Sequence, residues 1–96
     1  MMTKNSPKIK IIKGFVTQRN GKTVTIFDAE KSMLYTFNPS ATFIFERLKK
    51  GLDANKIASL MMKEFNIQEK KAIDDINDFI KTLLSKGLAK KEKLAK

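Results

Sequence analysis

The sequence predicts an α+β fold of the winged helix-turn-helix type, a three-stranded antiparallel sheet followed by three helices. Three observations carry this. Asn20-Gly21, a strong hairpin signal, sits between two runs rich in β-branched residues. Asn38-Pro39 joins a favoured helix cap to a residue that fits the first helical turn, directly after a strand-like run. Beyond Pro39, apolar residues recur at spacings of three and four, in runs closed by Gly51 and Gly87.

The elements follow in order. Residues 9–19, IKIIKGFVTQR, read as the first strand and lead into the Asn20-Gly21 turn. KTVTIFD is the second: Val24, Ile26 and Asp28 point one way, Thr23, Thr25 and Phe27 the other. After the short connection AEKS, Ser32–Phe37 is the third, with Met33, Tyr35 and Phe37 on one face and Ser32, Leu34 and Thr36 on the other. Tight connections make these an antiparallel meander.

Asn38 caps a helix that runs to about Lys50, apolar at Phe43, Ile44 and Leu48 with Phe45 beside them, and Gly51 ends it in the left-handed conformation. Asp53 caps the second helix, whose stripe is Ile57, Leu60, Met61 and Phe65. The third, about Glu69–Lys86, buries Ile73, Ile76, Ile80, Leu83 and Leu84 and keeps Phe79 at the stripe's margin. Gly87 closes it and Leu88 is placed for the apolar contact that follows such a cap. The lysine-rich end is expected to fray. One domain over 14–90 is predicted, preceded by a basic segment 1–13 and followed by a charged tail 91–96.

Composition narrows the function. The chain has 96 residues, no Cys and no His, which removes the common zinc sites, Cys nucleophiles and Ser-His-Asp triads. Asp74, Asp75 and Asp78 form the densest acidic cluster, and flanking an apolar stripe they read as a solvated helix face. The four glycines are isolated and cradle no phosphate. Neither an enzyme, nor a metal site, nor a cofactor is expected. The N-terminal residues carry no apolar run of signal-peptide kind and no segment has membrane-spanning length, so a cytoplasmic protein with no membrane partner is the expectation.

The net charge of +10 is concentrated at the ends. Residues 1–22 hold six basic groups and no acid, whereas 23–87 hold ten basic groups against nine acids. A winged helix-turn-helix protein commonly reads DNA with its last helix. Here Lys70, Lys71, Lys81 and Lys86 cancel against Glu69, Asp74, Asp75 and Asp78, and that helix has no arginine for a bidentate guanine contact. Sequence-specific nucleic-acid binding is therefore disfavoured. A nucleic-acid-binding protein or transcriptional regulator using its basic tails remains the alternative.

A more specific pattern runs from Tyr35 to Leu88. Tyr35, Phe37-Asn38 and Ser40-Ala41 are followed by Ile44-Phe45, Leu48 and Gly51, then Ile57 and Phe65, then Asp75-Ile76, Phe79-Ile80, Leu83 and Gly87-Leu88. This ordered set resembles the PqqD-like family, named for the pyrroloquinoline quinone synthesis protein D, over about residues 15–90. The chain departs from the family's habit with Phe37 in place of Leu, Phe45 in place of Trp and Lys50 in place of an acid before the Gly. The resemblance implies a peptide chaperone, or recognition element, of ribosomally made and later modified peptides. Such a module holds the leader of a precursor peptide and presents it to a modifying enzyme, often a radical SAM enzyme. It also implies that the leader adds as a strand beside the third strand, in the cleft with the third helix.

The residues agree with that geometry. The last strand of a meander is an edge, and SMLYTF carries neither proline nor charge to block pairing. The candidate peptide-binding residues are Ser32, Met33, Leu34, Tyr35, Thr36 and Phe37 on the strand, with either Leu34 and Thr36 or Met33 and Tyr35 as its wall. Ile76, Phe79, Ile80 and Leu83 are the helix candidates, Phe79 the best placed. Lys31, Lys81 and Lys86 are candidates to meet acidic leader side chains. The competing reading pairs the same edge with a second copy of the chain in a homodimer.

Overall fold

The computed structural model describes residues 8–12 and 15–92; Lys13 and Gly14, within the expected first strand, lie outside them. The order is β1 (Lys8–Ile11), β2 (Val16–Asn20), β3 (Thr23–Asp28), β4 (Met33–Phe37), α1 (Pro39–Lys49), α2 (Ala54–Phe65), α3 (Glu69–Ser85) and β5 (Ala89–Glu92). Strands β2-β3-β4 form the expected antiparallel meander ahead of three helices, so the α+β class read from the sequence stands.

Two expectations at the ends are corrected. Residues 9–19 are not one strand: β1 leaves the meander and pairs with β5 in a separate antiparallel ribbon, Ile9 opposite Lys91 and Ile11 opposite Ala89. The C-terminal end is accordingly not frayed as far as Glu92. The cause is local to α3. Gly87, at φ +75, turns the chain so that its N–H meets the Leu84 carbonyl and the Leu88 N–H meets the Leu83 carbonyl. That pair of bonds caps the helix, and it buries Leu88 and Ala89 and starts β5 beside the core. Ile9 and Ile11 then cover that side of the core.

The β2–β3 hairpin also shifts by one residue. Asn20 faces Thr23, so the loop is Gly21-Lys22, with Gly21 at φ +65 in the first loop position, as in a type II′ turn. At the next connection the buried Asp28 carboxylate accepts from the Glu30 and Lys31 N–H groups. Ser32 stands at φ +53 in this turn, so β4 begins at Met33 rather than Ser32.

The core lies between the sheet and the three helices. Val24, Ile26 and Phe37 enter from the strands; Ile44, Phe45 and Leu48 from α1; Ile57 and Met61 from α2; Ile76, Phe79 and Leu83 from α3. Leu60, expected in the α2 stripe, is exposed, and Ala58 and Ala72 take up core positions. Phe79, expected at the margin, is buried at 9% exposure because the Phe37 ring meets it edge-on, with centroids 5.1 Å apart.

Asn38 acts as expected. Its side-chain oxygen accepts from the Ala41 N–H at 2.8 Å, closing the first turn of α1. One turn in, the buried Thr42 hydroxyl accepts from the Val24 N–H at 3.1 Å and donates to the Phe37 carbonyl at 3.2 Å. It replaces a direct ladder bond between β3 and β4 and ties both strands to α1. Thr42→Val keeps the shape but leaves a buried donor and acceptor unpaired, so chemical denaturation should show a loss of about 2–3 kcal/mol. Thr42→Ser, which keeps the hydroxyl and loses only the methyl, should lose much less; a larger loss in Thr42→Ser than in Thr42→Val would show that the methyl, not the hydroxyl, matters.

Candidate functional site

The loop Gly21-Lys22 fixes which backbone groups of β4 are free. Asn20 and Thr23 close a two-residue hairpin, and hydrogen-bonding direction alternates along a strand. Thr23, Thr25 and Phe27 therefore bond toward β2, while Val24, Ile26 and Asp28 bond toward β4. Their partners across β4 are Phe37, Tyr35 and Met33. The N–H and C=O groups of Leu34 and Thr36 accordingly point away from the sheet, at an edge with no paired strand among the described residues.

Helix α3 runs alongside this edge in the opposite direction. Phe79 meets Phe37, the Lys86 ammonium lies 5.5 Å from the Tyr35 ring centroid, and Lys31 Nζ donates to the Lys86 carbonyl at 3.1 Å. Between strand and helix lies an open groove of about 390 Å³, lined by β4 from Leu34 to Phe37 and by Asn38, Ala41, Phe79, Thr82 and Lys86. A second depression of about 350 Å³ shares Asn38, Ala41, Phe79 and Thr82 with it and adds Ser40, Ile44, Lys71, Asp75 and Asp78. Together they form one cleft from the C-terminal end of α3 to its acidic middle.

The structure brings together only part of the set expected from the sequence. Leu34, Tyr35, Thr36, Phe37, Phe79 and Lys86 line the groove. Ile76 and Leu83 do not: both are completely buried beneath it, since the α3 stripe facing the core differs from the face turned to β4. Ile80 is half-buried on the core side, and Lys81 is exposed away from the groove. Ser32 and Met33 lie at the mouth of the strand, outside the lining, and Lys31 is engaged with the end of α3. Thr82, Ala41 and Asn38 were missed. For Thr82 a signal existed, because Phe79, Thr82 and Lys86 fall three and four apart on one helix face.

Asp74 is exposed and pairs with Lys70, as expected of a solvated face; Asp75 pairs with Lys71 at 3.0 Å. Asp75 and Asp78 also line the cleft, so the acidic cluster is divided between solvent and site. Among the described residues no group of Asp and Glu is arranged to hold a metal ion, and no helix is long and apolar enough to cross a membrane.

Residues 23–89 match the family model described as coenzyme PQQ synthesis protein D. The fold is similar to that of TbiB1 in complex with the TbiA(beta) leader peptide, with a TM-score of 0.77 and 20% identity over 91% of this chain and 99% of that one. It is also similar to lasso peptide synthetase B1 complexed with the leader peptide, with a TM-score of 0.79 and 18% identity over 86% of this chain and 98% of that one. Among curated proteins there is no match.

The edge assignment has a direct consequence for stability. Proline at Leu34 or Thr36 removes an N–H that bonds to nothing in the sheet, whereas Tyr35→Pro removes a ladder bond to Ile26. Thermal and urea unfolding should show Tyr35→Pro about 2 kcal/mol or more below Thr36→Pro. The reverse order would mean that the register of free donors is shifted by one.

Proposed function

The chain belongs to the PqqD family, and from that premise we propose that it is a non-catalytic peptide chaperone, a recognition element for the leader of a ribosomally made precursor. The leader adds antiparallel to β4, pairing with the outward N–H and C=O groups of Leu34 and Thr36, and its side chains enter the groove walled by Phe79, Thr82 and Lys86. The single observation that carries this reading is the β4 edge, unpaired among the described residues, facing an apolar-floored groove. Main-chain pairing supplies affinity along any extended segment, and the groove supplies selection among side chains. Both structurally similar proteins hold a leader peptide, which supports placing the same class of ligand here.

Delivery is the second half of the proposal. With its peptide seated at the edge, the module presents the remainder of the precursor to a modifying enzyme, a radical SAM enzyme or another tailoring enzyme. The charge of α3 supports this reading over one in which the helix enters DNA. The pairs Lys70–Asp74 and Lys71–Asp75 cancel locally, and Glu69 and Asp78 offset Lys81, so α3 offers no net positive charge to a phosphate backbone.

A titration with the precursor leader, followed by amide chemical shifts, tests the site. Shifts should concentrate in Met33–Phe37 and at 78–86, and Leu34→Pro or Thr36→Pro should weaken binding at least about tenfold, the loss of one main-chain bond with its geometry. The assignment would be overturned by shifts confined to Lys8–Ile11 and Ala89–Glu92 with β4 silent.

A further inference from the structure

The cleft is electrically polar along its length. At one end stand Lys86 and, beside it, Lys31, whose ammonium is held at the Lys86 carbonyl; neither is ion-paired to a carboxylate among the described residues. At the other end stand Asp75, Asp78 and Lys71. Lys71 is committed to Asp75, so among the described residues Asp78 is the charge there without an ion-pair partner. The chain thus presents two cations at one end of a peptide-sized groove and one uncompensated carboxylate at the other.

From this we infer that the groove selects leaders with a basic residue followed, four positions later, by an acidic one. The inference rests on the strand-addition reading above. Order comes from direction: β4 runs from the Lys31–Lys86 end toward Asn38 and Asp78, so an antiparallel peptide enters at Asp78 and leaves at Lys86. Spacing comes from length. Asp78 and Lys86 are eight helical residues apart, about 12 Å along the axis, which an extended chain covers in three to four residues at about 3.4 Å each. Only residues an even number apart point to the same side of a strand, so four positions place both charges toward α3. Phe79 and Thr82 lie between them, at the positions where the peptide's intervening helix-facing side chain must be apolar or small.

A displayed library of randomised decapeptides, selected in parallel on the wild-type protein and on the exposed-charge variant Asp78→Lys/Lys86→Glu, tests this. The wild type should enrich basic-then-acidic peptides at a spacing of four, and the variant acidic-then-basic. Synthetic peptides of the two orders should differ about tenfold in affinity for the wild type, as expected of two exposed ion pairs made or reversed. The difference should shrink in about 0.5 M salt. Enrichment without charge order, or with the same order on both proteins, overturns the inference. If such peptides still shift the Leu34 and Thr36 amides, strand addition itself survives. Enriched peptides that leave those amides unmoved, or a library yielding no enriched sequence, would remove both together.

Discussion

The site depends on the junction at Phe37, where strand becomes helix without a connecting loop. Its ring is wedged between Phe45 of α1, at 5.3 Å, and Phe79 of α3, at 5.1 Å. Its carbonyl accepts the Thr42 hydroxyl, and Asn38, the next residue, caps α1. Four constraints therefore meet on two adjacent residues, and they fix β4 relative to both helices that border the groove. Aromatic edge contacts of this kind contribute about 1 kcal/mol beyond area burial. Here their larger effect is positional: α3 is held beside β4 rather than across it, leaving room for one more extended chain.

That arrangement explains how a sheet edge is left open in a small protein. An unpaired edge is ordinarily blocked by charge, proline or a bulge. β4 has none of these, and β2, the other edge, has Arg19 bonded to the Gly21 carbonyl and paired with Glu46. The two edges thus differ in kind. Lys31 and Lys86 limit the open one at its start, and Asp75 and Asp78 limit it at its end. In the proposed reading, selection among partners resides in these charged ends of the edge, and main-chain pairing in its middle.

Much of this was legible in the sequence because it is locally encoded. Asn38-Pro39, Asp53 and the Gly51 and Gly87 caps each act within one turn of chain, and each sits where its chemistry predicted. The third strand's two faces followed from period-two alternation. What escaped was non-local. The pairing of β1 with β5 joins residues some eighty positions apart, and the lysine-rich β5 is not apolar enough to announce itself. Within α3 the sequence gives a stripe but not its division, so Ile76 and Leu83 were counted as groove wall when they lie beneath it. Thr82 was passed over because a polar residue beside a stripe looks like solvent face. Phe79 was identified for a reason that failed, marginal exposure, and belongs to the groove for another: its ring forms the floor.

Residue-resolved amide hydrogen exchange with and without the precursor leader tests strand addition most directly. In the free protein Leu34 and Thr36 should exchange fast, while Tyr35 and Phe37, bonded into the sheet, exchange slowly. With leader bound, strand addition predicts that Leu34 and Thr36 become protected and that Thr17 and Arg19, the corresponding outward amides of β2, do not. Unchanged exchange at Leu34 and Thr36 under saturating leader, or protection gained on β2 instead, would contradict it.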